Sequence, residues 1–100
     1  MKTGSFLVNT SRGPTVDQEA LVKALRNGWI AGAGLDVHEK EPPDADSPLF
    51  QMDNVVLTPH AGYYSDAALE AMAIRCGQEV ASVLTGQMPR NLVNPEVLGA

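Results

Sequence analysis

Ala31-Gly32-Ala33-Gly34-Leu35-Asp36-Val37-His38-Glu39-Lys40-Glu41-Pro42 is the stretch on which the reading of this 100-residue chain turns. Its first half has the character of a buried strand. Leu35 and Val37 supply bulk, and Gly32 and Gly34 let a neighbouring backbone approach closely. Asp36 stands where the apolar run stops, and Glu41 follows at the mouth of a loop stiffened by Pro42 and Pro43. Two other short apolar runs end in the same manner: Phe6-Leu7-Val8-Asn9 runs into Thr10-Ser11-Arg12-Gly13, and Val55-Val56-Leu57 into Thr58-Pro59-His60. As parallel strands, these three runs would have their exits at one sheet edge, where open α/β sheets bind ligands. Arg12, Asp36, Glu41 and His60 are then expected at one crevice.

The segments between the runs support a βαβ reading. Asp17 is a good N-cap, because its carboxylate can accept from the free amides of a first helical turn. Val16 and Leu21 are placed for a hydrophobic staple. Ala20, Leu21, Ala24 and Leu25 form one apolar stripe, and Gly28 is a stop signal. Trp29, just beyond, reads as an anchor between elements. Residues 11–14 read as a loop. The connection from His38 to Asp53 is long and proline-rich, with room for only a short helical turn around Leu49 and Phe50; Asp44 and Asp46 read as a solvated turn. Ser65 or Asp66 opens the longest helix. Leu69, Met72, Ala73, Cys76, Val80, Val83 and Leu84 recur along it at three- and four-residue steps, which predicts a continuous buried face. Gly86 and Pro89 end it, and the tail is expected to be irregular. The fold class is therefore α/β, the second half of a doubly wound parallel, Rossmann-like sheet, with its first strands absent. Residues 1–64 hold the three strands and the site loops, and residues 65–100 the terminal helix and tail.

A net charge of −5 argues against nucleic-acid binding through a basic surface. No apolar run approaches the roughly 18 residues of a membrane helix, so no membrane partner is expected. The single Cys76 leaves no internal disulfide and suits a reducing cytoplasm. Cys76 and Met72 sit on the helical stripe and read as packing. No His-x-x-x-His helical spacing occurs, so no metal is expected. His38 reads as a loop or wedge residue.

Taken together, the converging groups suit hydride transfer between a nicotinamide and a 2-oxo acid. Arg12, always charged, has the planar donor fork that holds a carboxylate and polarises a carbonyl. His60 suits proton exchange, since an unperturbed imidazole titrates near ~6.5. A carboxylate behind it would set its tautomer and favour its protonated form, and Glu41 is the candidate. Asp36 is left to accept from a nicotinamide carboxamide, and main-chain groups of Thr10, Ser11 and Ala61 to line the cofactor.

Asn9-Thr10-Ser11-Arg12-Gly13, Gly34-Leu35-Asp36-Val37 with Glu41-Pro42, and Leu57-Thr58-Pro59-His60 resemble signatures of the D-isomer-specific 2-hydroxyacid dehydrogenases. Val16-Asp17-Gln18-Glu19-Ala20-Leu21 resembles the usual helix start there. The resemblance covers nearly the whole chain. It implies that Arg12, Glu41 and His60 are catalytic, and that Thr10, Ser11, Arg12, Asp36, His60, Ala61 and Gly62 lie around NAD or NADP. It also implies a small 2-oxo or 2-hydroxy acid substrate, and a homodimer or a missing N-terminal half as partner. The family's Gly-x-Gly-x-x-Gly fingerprint does not occur in these residues, so the chain by itself is expected to be inactive. Ala61-Gly62-Tyr63-Tyr64-Ser65 is similar to the C-terminal-binding-protein corepressor branch, which implies Tyr63 as a pocket residue. The competing expectation is a non-enzymatic NAD-binding or interaction module.

Overall fold

Three parallel strands carry the first part of the molecule: β1 (Phe6–Asn9), β2 (Gly32–Leu35) and β3 (Val55–Leu57), in the spatial order β1-β2-β3. The computed structural model describes residues 1–98. Asn9 is level with Leu35, and Leu35 with Leu57, so all three strands stop on one line. The ladder runs one residue further on each side: the Asp36 N–H donates to the Asn9 carbonyl and the Thr58 N–H to the Leu35 carbonyl, both at 3.0 Å. The result is an open parallel α/β sheet of Rossmann-like type. By its contacts the chain divides into two units, Met1–Gly62 and Tyr63–Ala100.

In the first unit β1 leads to β2 through α1 (Gln18–Arg26). The Asp17 carboxylate accepts from the Ala20 N–H at 2.9 Å, which satisfies a first-turn amide that the helix itself leaves open. Gly28 closes the helix in the left-handed region, at φ +64°. Leu21 and Leu25 of the predicted stripe pack with Ile30, Ala33, Leu35 and Leu49 into one core. Leu49 comes from the short 3-10 turn Pro48–Gln51, within the loop where a turn was expected, and is 2% exposed.

One face of the strands packs on the core of this unit. Leu7, Val55 and Leu57 pack towards the core, whereas Phe6, Val8 and Val56 are 69%, 71% and 68% exposed. Side chains alternate across a strand, so one helical layer buries only half of each run. Trp29 is exposed rather than an anchor, with the Lys23 ammonium 5.8 Å from its ring centroid. Residues Gly13–Thr15 form a 3-10 turn instead of an open loop, with Pro14 supplying a fixed φ in its first turn.

The second unit is built on α2 (Asp66–Leu84), capped by the Ser65 hydroxyl, which accepts from the Ala68 N–H at 3.2 Å. The tail folds back on the helix. The Arg90 N–H donates to Glu79 Oε2 at 2.9 Å and Asn91 Nδ2 to Glu79 Oε1 at 2.7 Å, and a 3-10 turn, Pro95–Leu98, replaces the expected irregular end. The predicted buried face is not observed: no residue of α2 is buried, Met72 and Cys76 are exposed, and Leu84 is 80% exposed. Apolar periodicity marks a face made for burial, but burial needs a second surface, and this unit holds one long helix and a short tail. No helix among the described residues is long and apolar enough to cross a membrane.

Candidate functional site

Three loops leave the sheet at the line where the strands stop, and each is shaped by one polar side chain. At the end of β1 that side chain is Asn9, which is buried. Its Oδ1 accepts from the N–H and the hydroxyl of Ser11 at 3.1 and 3.0 Å, and its Nδ2 donates to the Arg12 carbonyl at 2.9 Å and to Thr15 Oγ1 at 3.2 Å. The Asn side chain thus substitutes for backbone partners and bends the chain just where Arg12 begins. The Arg12 side chain is exposed, and its Nη1 donates to the Ser11 carbonyl at 2.7 Å. Gly13 is a site of close approach: a Cβ there would stand 1.8 Å from the His38 carbonyl oxygen and 2.5 Å from the Glu39 nitrogen. The arginine loop therefore lies directly on the loop that leads to Glu41.

At the end of β2 stands Asp36, 6% exposed. Its carboxylate accepts from the Thr58 hydroxyl, from the Ala61 N–H at 2.9 Å and from the Gly62 N–H at 2.8 Å. These donors hold its pKa below the ordinary value, the Thr58 hydroxyl foremost, then the two main-chain amides, against an opposing push from burial. The same bonds shape the turn after β3. His60 has φ 54°, a left-handed conformation uncommon for a residue with a Cβ and typical of functional turns. Asp36 ties down the two residues that follow it.

Glu41 completes the arrangement. Its Oε2 lies 2.7 Å from His60 Nδ1, and its Oε1 accepts from the His38 N–H at 3.0 Å. The His38 amide bond and then the His60 contact depress the Glu41 pKa, so the carboxylate is ionised at neutral pH. His60 and Glu41 form one wall of a cavity of about 330 Å³ whose other walls are largely apolar, from Pro42, Pro43, Phe50 and Leu57. An ionised carboxylate on Nδ1 sets the tautomer and orientation of the ring.

The structure brings Glu41 and His60 into contact and ties Asp36 to the His60 turn. It places Arg12 at the same sheet edge, against the His38 loop through Gly13, but not among the residues lining that cavity. Thr10 and Ser11 lie at the exit of β1, and Ala61 and Gly62 are the two amides held by Asp36. Tyr63 belongs to the second unit, where its ring meets Tyr64 edge-on with centroids 6.1 Å apart. Among the described residues no group of three or more His, Cys, Asp or Glu side chains converges as a metal site would. Sequence reasoning missed the shaping roles of Asn9, Gly13, Thr58 and the His38 amide. For Asn9 there was a signal, an Asn closing a strand before Thr-Ser, the pattern of an Asx turn. Gly13 and Thr58 act through tertiary contacts with no local signature, and the His38 amide acts through a local bond to Glu41, three residues on.

Residues 1–62 match the model of the D-isomer specific 2-hydroxyacid dehydrogenase NAD-binding domain. A glyoxylate reductase of Thermofilum pendens is 53% identical over 98% of this chain, which corresponds to 29% of that protein. The chain thus spans about three-tenths of the length of such relatives. Among solved structures, a D-isomer specific 2-hydroxyacid dehydrogenase of Xanthobacter autotrophicus, in complex with NADPH and MES, superposes with a TM-score of 0.81 at 38% identity, covering 96% of this chain and 39% of that one. A D-isomer specific 2-hydroxyacid dehydrogenase of Lactobacillus delbrueckii, in its NAD-complexed form, gives a TM-score of 0.77 at 37% identity over 94% of this chain and 33% of that one.

Proposed function

The chain belongs to the D-isomer specific 2-hydroxyacid dehydrogenases, and from that membership we propose that it carries the proton-transfer side of an NAD(P)-dependent reduction of a small 2-oxo acid, of glyoxylate type. The observation that carries this reading is the 2.7 Å contact between Glu41 Oε2 and His60 Nδ1 at the exit edge of a parallel sheet. Asp36 fits a nicotinamide carboxamide. An ionised carboxylate offers about four lone-pair sites, and three donors from the chain engage it, two on Oδ1 and one on Oδ2. A bound nicotinamide supplies or accepts the hydride. The chain's own residues do the rest. Arg12 grips the substrate carboxylate and draws electron density from the keto oxygen. His60, its Nδ1 held by ionised Glu41, gives a proton to that oxygen through Nε2 as the hydride arrives, and takes it back in the reverse direction. Thr10, Ser11, Ala61 and Gly62 border the cofactor with main-chain groups. The isolated chain is inactive in this reading, because a small part of the enzyme's length is insufficient to enclose both reactants.

The test is a graft. The chain replaces the matching segment of the Thermofilum pendens glyoxylate reductase, and NADH and NADPH oxidation is followed with glyoxylate. The graft is expected to turn over. His60→Ala should lower kcat by at least roughly 10²-fold, the usual contribution of a positioned proton donor. An undiminished rate in His60→Ala would remove the assignment. A second reading, a non-enzymatic interaction module, draws on the exposed Phe6, Val8 and Val56; it expects substitutions at His60 and Arg12 to leave partner binding unchanged, and an active graft excludes it.

A further inference from the structure

We propose that His38 is the positioning residue of the Glu41–His60 pair: its main-chain amide holds the Glu41 carboxylate, and its buried ring and carbonyl wedge the loop against the arginine side of the sheet edge. Three observations converge on it. The His38 N–H donates to Glu41 Oε1 at 3.0 Å while Oε2 meets His60 Nδ1, so the carboxylate bridges the two histidines, with one oxygen for each. The His38 carbonyl sits so close to Gly13 that no side chain fits between them, which seats the loop on the residue next to Arg12. The ring is 8% exposed, and its Nδ1 is buried with no hydrogen-bond partner among the described residues. A buried nitrogen left unpaired is unfavourable, whereas an apolar group of the same shape is not. The ring therefore acts chiefly through its bulk.

This separates two substitutions. His38→Ala keeps the amide but removes the wedge, so the loop loosens and the amide bond to Glu41 is lost part of the time. His38→Phe keeps the wedge and removes the unpaired nitrogen. The titratable groups that bear on Glu41 are His60 and, more weakly, His38 itself. The phenyl variant removes the weaker influence and leaves the amide bond, the leading cause of the depressed carboxyl, in place.

The inference rests on reading Glu41 and His60 as the proton-transfer pair, but its test reads geometry in the 100-residue chain and not turnover, so the two stand or fall separately. Carboxyl ¹³C NMR across pH follows Glu41. In His38→Ala its midpoint should move up towards the ordinary 4.5, while in His38→Phe it should stay depressed and thermal stability should equal or exceed that of the parent. A Glu41 midpoint unmoved in His38→Ala, or moved equally in both variants, overturns the proposal. If His38→Ala does not fold, the parent chain still decides. The His38 amide proton shift should follow the Glu41 titration and lose that response in Glu41→Gln; an amide indifferent to Glu41 overturns the proposal.

Discussion

At and beyond the ends of β1 and β2 the side-chain heteroatoms of Asn9, Asp36 and Glu41 all have partners in the chain. Along α2 the pattern reverses, and Met72, Val80, Val83 and Leu84 lie exposed. The first region is self-sufficient because its hydrogen bonds close within the loops of one unit. The second is made of residues suited to burial, and its own unit gives them nothing to be buried against. Polar geometry at a sheet edge is local to a few loops, whereas an apolar face is half of an interface.

Substitutions can break or sharpen that contrast. The largest effect is expected from Leu49→Ala, which empties a fully buried core position and should cost about 2–5 kcal/mol in urea unfolding. Leu84→Ala on α2 should stay within about 0.5 kcal/mol, as at other exposed positions; equal costs for the two would show that the helix is buried in solution. Gly13→Ala comes next, at about 1–3 kcal/mol, because the added Cβ meets main chain that must shift rather than a side chain that can turn away. Asp17→Ala should cost about 1 kcal/mol through the lost cap of α1, read from the same unfolding curves.

The last effect is one of slope. Asp36 and Glu41 have folded pKa values below their ordinary 3.8 and 4.5. Their contribution is therefore fully present above those ordinary values and is lost as pH falls through the depressed folded ones. Unfolding free energy measured against pH should drop on acidification through this window. The drop should be shallower in Asp36→Asn and in Glu41→Gln; parent and variants with the same slope would mean that the edge is not held by these carboxylates.

Much of this was legible in the residues themselves. The strand at Phe6–Asn9, the Asp17 and Ser65 caps and the turn around Leu49 follow from short-range chemistry, since each depends on residues only a few positions apart. The pairing of Glu41 with His60 was legible only through the resemblance and the parallel-sheet argument, because 19 residues separate them. The part of Asp36 in shaping the His60 turn was not legible, since Thr58, Ala61 and Gly62 reach it across 22 to 26 residues. The exposure of α2 was misjudged for a related reason: hydrophobic spacing says which side of an element is apolar and nothing about what covers it.

Sequence alone determined the order of strand, helix, strand, loop, strand and long helix, and which side chains leave the sheet at its carboxyl edge. Capping, periodicity and chain length act locally and leave little freedom. Tertiary structure alone decided which of those side chains meet. Hydrogen bonds at 2.7–2.9 Å require register between strands and loops far apart in the chain, and the close approach at Gly13 lets the His38 loop settle beside the arginine loop.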